Sequence, residues 1–493
     1  MGSSAVVHVT SLLGGGVNRH LHDLARSSAR THLAWHVGDA AEVVESQSRY
    51  RALDPARVDA DPESMREWLR SQAVGLVHVH SLHPVAKKRA LQVRRDLGAG
   101  CIATLHDVLF LSPDALDAGA QVCLDSAWLG DNAHFLRAAD AVVAPSDYIA
   151  DLARRHIEGL EVHVVPNGSA AMARTGAEPR ARPEFGEHRP RHVAVVLGAI
   201  GPHKGSDILE ALGEALRGSG IAIVVIGYLD RQVVAGWRHP ATLFVHGAYS
   251  DAEVPGLIAA YGAGLALFPN RAPESFSYTL SDAWSCGLPV LAAPDGALGE
   301  RVSRHGGGWL LPQDFDAPAV AKRLRELFME SGAEELGRVK SQLSRPDPGR
   351  VPSLEAMARS LDALYARFGI DVEDPAASSS AAIERLLAVS LDGSLFRPEL
   401  ARAADELAQA LRANKELVAT VEDARAFEAD SREWIAKLER DIEVLKTEVE
   451  REVGERRVLG EEVVRLRECR DALEVLPSLV RRLLLKKIRD ARS

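Results

Sequence analysis

Between Arg271 and Ala293 the chain reads RAPESFSYTLSDAWSCGLPVLAA, with two carboxylates, Glu274 and Asp282, separated by seven residues and followed by Gly287-Leu288-Pro289-Val290. A helix beginning near Ser277 carries Asp282 within its first two turns and leaves Glu274 in the loop just before it, so both acids can face one cavity. The N-terminus of that helix exposes free N–H groups and a partial positive charge, which suits a phosphate. Backbone donors for a diphosphate, with acids for sugar and ribose hydroxyls, are what a nucleotide-sugar site requires. A capped helix with acids in its first turn is the plainer alternative.

Three further segments carry residues fit for such a site. Gly14-Gly15-Gly16-Val17 follows an apparent strand and opens a helix, where glycines let backbone N–H groups approach a ligand, although a tight turn needs glycine too. Thr104-Leu105-His106-Asp107 ends a second strand and places His106 at a carboxyl end, on the cleft side of a doubly wound sheet. The chain has 18 His, so this placement alone separates His106 from structural histidines. Asp107 either orients the imidazole or caps the next segment. Gly198-Ala199-Ile200-Gly201-Pro202-His203-Lys204-Gly205 closes a third strand ahead of a helix over Ser206–Leu216, where Lys204 can neutralise a departing diphosphate.

The elements that must position these residues form two series. Ala5–Val9, Leu76–Val79, Cys101–Thr104, Ala141–Ala144 and Val162–Val165 read as buried parallel strands alternating with helices. Val193–Leu197, Ile221–Ile226, Leu243–Val245, Gly264–Phe268 and Val290–Ala292 repeat the pattern after the Pro- and Arg-rich stretch Ala177–Arg191. This predicts two doubly wound domains, residues 1–185 and 186–370, with the ligand between the carboxyl ends of their sheets and a closing helix over Glu355–Phe368. Composition agrees: 493 residues suggest roughly three units at about 150 residues per domain. Hydrophobic residues at 46% and charged ones at 26% are ordinary for a globular protein.

The acid-to-acid segment resembles the signature of the family-4 retaining glycosyltransferases of GT-B fold, usually Glu, seven residues, Glu, then Gly-x-Pro-Val; here the second acid is shortened to Asp282. The resemblance covers about residues 5–370 and implies a hexosyltransferase-type enzyme. It assigns Glu274 to the transferred sugar and Asp282 to the nucleotide ribose. GGGVNRHLHDLA is similar to the family loop bordering the donor phosphates and acceptor, which makes Gly15 and Gly16 donor contacts. His106 resembles the His-Asp histidine that reaches the donor sugar or acceptor. Relatives carry Gly-Arg before the Lys-Gly pair; Ala199 stands at the arginine position, leaving Lys204 as the diphosphate cation, with His203 or Arg271 as replacement donors. Ser275, Phe276 and Ser277, in the turn into the helix, complete the expected donor site. The implied reaction retains anomeric configuration, needs no metal or other cofactor, and uses the leaving phosphate oxygen as proton acceptor.

Beyond residue 370 the pattern changes. Residues 371–400 read as a linker with short helices, and residues 401–475 as a long α-helical coiled coil. One heptad frame runs from Leu407 to Leu473, strongest at Ile435–Val449, with isoleucine at first and leucine at second core positions there. That choice favours a parallel dimer, extending roughly 100 Å at about 1.5 Å per residue. The tail, residues 476–493, is a basic amphipathic helix suited to an anionic membrane surface or to a partner glycosyltransferase. A net charge of -10 argues against nucleic acid as a partner. Four cysteines without metal-like spacing fit a reducing compartment, and the N-terminus has no basic region ahead of its apolar run. A cytoplasmic protein, peripheral on the inner face of the plasma membrane, is the resulting expectation. The expected activity is transfer to a growing surface glycan of O-antigen or capsule type on a lipid carrier. Protein glycosylation, or a catalytically degenerate scaffold acting through the coil, are the alternatives.

Overall fold

The computed structural model describes residues 5–11, 15–37, 42–46, 49–53, 62–116, 124–170, 185, 188–368, 464–465 and 467. The linker, the heptad frame apart from three residues, and the basic tail lie outside the described residues.

The first sheet comprises β1 (Ala5–Ser11), β2 (Thr31–Val37), β3 (Glu42–Ser46), β4 (Arg49–Leu53), β5 (Val74–Val79), β6 (Gly100–Thr104), β7 (Ala141–Ala144) and β8 (His163–Val164). Its spatial order is β4-β3-β2-β1-β5-β6-β7-β8, parallel throughout except at the β2-β3 and β3-β4 pairings. The second comprises β9 (His192–Ile200), β10 (Ile221–Leu229), β11 (Gly236–His239), β12 (Leu243–Val245), β13 (Ala263–Phe268), β14 (Val290–Ala292) and β15 (Gly308–Leu310). Its order is β11-β12-β10-β9-β13-β14-β15, with only β11 antiparallel. Each is the doubly wound sheet that the alternating apolar runs predict. All ten expected strands are present; β2, β3, β4, β11 and β15 are additions.

Strand alternation divides each sheet between two cores. Along β1, Ala5, Val7 and Val9 join one hydrophobic core, and Val6 joins the other with Leu76, Ile102 and Val143. That second core is closed by the helix Leu354–Ala366, which places Met357, Leu361 and Tyr365 on the first sheet. This is the closing helix expected over Glu355–Phe368. Its start is fixed by Gly168, where a Cβ would stand 2.7 Å from Leu354 Cα and Ser353 O. Farther along it, Asp362 accepts from Arg30 Nε at 3.0 Å. The order reverses beside the first strand of each sheet, at β1/β5 and at β9/β13, and such switch points open a crevice at the carboxyl ends of parallel strands.

Candidate active site

The loops that leave β9 and β13 at the second switch point are interlocked through their backbones. Pro202–Lys204 form a single 3-10 turn, ended by Gly205 at φ 84°. A Cβ on Gly205 would lie 2.1 Å from the carbonyl oxygen of Pro269, so only glycine permits the two loops to touch. The N–H groups of Arg271 and Ala272 both donate to His203 O at 2.9 Å. Glu274 is pinned by its own carbonyl, which accepts from Ala297 N at 2.8 Å, and by Gly296, whose Cβ would meet the Glu274 backbone at 2.7 Å. Its carboxylate accepts from Asn270 Nδ2 at 3.0 Å and stands 3.9 Å from Lys204 Nζ. The acid and the cation singled out by sequence therefore share one partly exposed site.

The turn after Glu274 is strained and braced. Ser277 precedes the helix Tyr278–Ser285 with φ 68°, a left-handed conformation that costs a non-glycine residue about 1–3 kcal/mol. Arg301, buried, offsets that cost by donating to Phe276 O at 2.7 Å, Ser277 O at 2.9 Å and Ser281 Oγ at 2.7 Å. Burial pulls its guanidinium down to about 9, against the opposing pull of Glu300 and Asp282. Phe276 is buried with the Arg301 guanidinium 4.1 Å from its ring centre, and so supports the turn from inside. Arg271 donates to Phe315 O at 3.4 Å and lies over the Phe315 ring.

The first domain meets this turn at two points. Ser275 Oγ donates to the backbone carbonyl of His106. Gly15, at φ 99°, opens the helix Gly16–Ser27 with Gly16 facing the Tyr278 ring, and one turn on Arg19 crosses to the second domain. Its NH1 and NH2 donate to Asp282 Oδ2 and Oδ1 at 2.8 and 2.9 Å, and its guanidinium lies 4.6 Å from the Tyr278 ring centre. Asp282, read from sequence as a ribose contact, is thus engaged by Arg19 and is 3% exposed. Burial pushes its carboxyl up and Arg19 opposes that. Arg19→Ala strands a buried acid and is expected to cost roughly 3 kcal/mol. A denaturant-unfolding midpoint equal to wild type would show that the pair is not the latch between domains. Asp107, left open between two roles, caps a turn: its Oδ1 accepts from Leu109 N at 2.8 Å.

The unforeseen feature is a belt of histidines at the first switch point. His8 on β1, His32 on β2, His78 and His80 at the end of β5, His106 after β6 and His20 on the helix Gly16–Ser27 share one side of the sheet. His78 contacts Tyr365 Oη and Thr104 Oγ1, each at 2.7 Å. Burial is the largest influence on all six rings and pushes each below its ordinary value, His20 to about 4 and His32 to about 3. Two groupings, His8-His78-His80 and His20-His80-His106, bring ring nitrogens within 4.8 Å of one another. Two imidazoles on one tetrahedral zinc stand roughly 3.3 Å apart, given Zn–N of about 2.0–2.1 Å. The His8–His80 and His80–His106 nitrogens are 2.8 Å apart, which is hydrogen-bond contact. The one Asp-x-Asp of the first domain, Asp59-Ala60-Asp61, lies outside the described residues.

Of these residues the sequence singled out His106, but not Arg19, Asn270, Arg301 or the other five histidines of the belt. Arg19 falls three residues after Gly16 and His20 follows it, both in the segment GGGVNRHLHDLA already singled out, and that placement was their usable signal.

Comparison with known proteins bears on this geometry directly. Residues 14–169 match the family model "Glycosyltransferase Family 4", and residues 178–340 match "Glycosyl transferases group 1". The D-inositol 3-phosphate glycosyltransferase of Segniliparus rotundus is 30% identical over 215 residues, 42% of this chain and 46% of that protein, so the match spans just under half of its length. Anabaena Alr3699/HepE, solved in complex with UDP and glucose, is similar with a TM-score of 0.54 at 15% identity, over 74% of this chain and 100% of that one. Sucrose-phosphate synthase of Thermosynechococcus elongatus is similar at 0.51 and 17% identity, over 74% and 98%. At these identities the solved structures speak for the fold, and the paired family models span most of the region the two sheets occupy. The chain belongs to the glycosyltransferases, with a family-4 amino-terminal domain followed by a group-1 carboxyl-terminal domain on a GT-B scaffold.

Proposed function

We propose that the chain is a retaining glycosyltransferase that moves a sugar, of the hexose type, from a nucleotide-sugar donor to a growing surface glycan carried on a lipid at the cytoplasmic membrane face. The observation that carries the reading is the meeting of Lys204 and Glu274 at the second switch point, opposite His106. Lys204 neutralises the departing diphosphate, Glu274 supplies negative charge beside the transferred sugar, and the strained turn Ser275–Ser277 presents N–H groups at the start of a helix. Gly15 and Gly16 border the phosphates, and His203 and Arg271 stand beside the same loop junction. The leaving phosphate oxygen takes the acceptor proton, and a metal has no assigned role in donor binding. The relatives named above, one a glycosyltransferase acting on an inositol phosphate by its name and another bound to UDP and glucose, support a nucleotide-sugar donor.

The heptad frame and basic tail extend the proposal: a homodimer through residues 407–473, tethered to an anionic membrane surface or to a partner glycosyltransferase. Among the described residues no helix is long and apolar enough to cross a membrane. The test is transfer of labelled sugar from its nucleotide into the lipid-linked glycan of isolated membranes. Lys204→Ala is expected to raise the donor KM and lower kcat, together about 100-fold in kcat/KM, because the diphosphate loses its clearest cation. Unchanged constants would move the clamp to Arg271.

A further inference from the structure

Four histidines of the belt, His8 and His80 buried and His32 and His106 half-buried, are joined end to end. His32 Nδ1 lies 2.7 Å from His8 Nε2, His8 Nδ1 lies 2.8 Å from His80 Nε2, and His80 Nδ1 lies 2.8 Å from His106 Nε2. Every contact pairs an Nδ1 with an Nε2 in the same sense. A neutral imidazole has one N–H and one bare nitrogen, and burial keeps all four rings neutral at pH 7. Rings in series then have two complete arrangements: every proton on Nδ1 or every proton on Nε2. Any mixture sets N–H against N–H or lone pair against lone pair at one of the three contacts.

The far end chooses between them. Among the described residues His32 Nε2 is buried without a hydrogen-bond partner. With every proton on Nε2 that atom would be an orphaned buried N–H, which folded proteins rarely keep. The charge acting on His32 is Arg30, whose NH1 is likewise buried with no hydrogen-bond partner among the described residues, and a cation favours a bare nitrogen over an N–H in its field. The orphaned Nε2 and the Arg30 charge both place the protons on Nδ1 along the whole series. His106 Nε2 is then the acceptor for His80, and His106 Nδ1–H is the donor left over at the part-exposed end, beside Ser275 of the second domain. The other groups against the series are His20, 4.9 Å from His106 between ring centres, Tyr365, 6.3 Å from His32, His78, and Asp362, which is paired with Arg30.

We infer that His32, His8 and His80 are positioning residues that hold His106 as the neutral Nδ1–H tautomer, a fixed hydrogen-bond donor for an oxygen of the bound nucleotide sugar. The inference rests on reading this cleft as the sugar-transfer site. No proton changes hands: His106 orients and polarises its partner and is not a base, and three hydrogen bonds in one direction strengthen the terminal donor.

The experiment is nitrogen-detected NMR of the full chain labelled at histidine, without substrate, with His106→Gln to identify the His106 signals. The wild type is expected to carry the His106 proton on Nδ1 from pH 6 to 8. His8→Phe cuts the series in the middle at similar bulk, and His32→Leu removes only its far end; circular dichroism establishes that each is folded. Both are expected to leave His106 in a mixture of tautomers and to lower kcat by about 10- to 100-fold, as loss of an orienting partner does. A His106 proton on Nε2 in the wild type, or an unaltered tautomer in both folded variants, would overturn the inference. So would purified protein holding zinc in one-to-one ratio whose removal shifts the His80 and His106 signals. A locked Nδ1–H in a chain that transfers no sugar would instead sink the functional reading and leave the relay standing.

Discussion

Glu274→Gln is expected to lower kcat by roughly 100- to 1000-fold with the fold intact, the scale of losing one aligned electrostatic group. The amide has the shape of the acid, and its oxygen can still accept from Asn270, which reaches Glu274 Oε1 at 3.0 Å. The backbone around it is set by Gly296 and Ala297 and does not depend on the side-chain charge. Only the charge is lost, and with it both the counter-ion of Lys204, 3.9 Å away, and the stabilisation of positive charge growing on the sugar. Because this loss is confined to the transition state, kcat and kcat/KM should fall together with the donor KM little changed. Steady-state kinetics beside a thermal melt checks it: wild-type kcat would remove Glu274 from the reaction, and a lowered melting temperature would reassign it to structure.

The histidine belt makes the amino-terminal domain sensitive to acid. Each ring is buried neutral, with its folded value below the ordinary 6.5, so below pH 6.5 the unfolded chain binds more protons than the folded one. The stability this contributes is complete above pH 6.5 and drains away as pH falls toward the folded values, about 4 for His20 and about 3 for His32. Each group forfeits about 1.4 kcal/mol per pH unit in that window. Two groups alone would remove roughly 5 kcal/mol by about pH 4.5, comparable with the whole stability of a modest domain. The urea midpoint should therefore fall steeply between pH 6.5 and 4.5, and His20→Gln should flatten the slope by about one proton. A midpoint constant across that window would mean that the rings are not held neutral by burial.

What could be read from sequence follows from range. Most of the parallel strands announce themselves as short β-branched runs because both of their faces are buried, and all but β2 and β15 were legible. Strand β2, Thr31–Val37, was not, because THLAWHV alternates: Leu33, Trp35 and Val37 join the core, while His32 faces the belt. Strand β15, Gly308–Leu310, is no shorter than β12 or β14, but GWL has none of the β-branched residues that marked those two. Glu274 and Lys204 were legible because each occupies a loop at the end of its own strand, and the fold brings those ends together. Arg19 and Asp282 lie 263 residues apart, and no local pattern pairs them. His8, His32 and His78 each looked like one polar residue in an apolar strand, and His106 was singled out alone; the register that places His8 opposite His78 is what brings the strand histidines together.

The central claim, sugar transfer at the Lys204–Glu274 site, is tested most directly by release of nucleoside diphosphate from a panel of nucleotide sugars, comparing the intact chain with Glu274→Gln. The wild type is expected to bind and slowly cleave a narrow set of donors, while Glu274→Gln still binds them and releases nucleoside diphosphate at least about 100-fold more slowly. Equal release by both proteins, or no binding of any nucleotide sugar by the wild type, would contradict it.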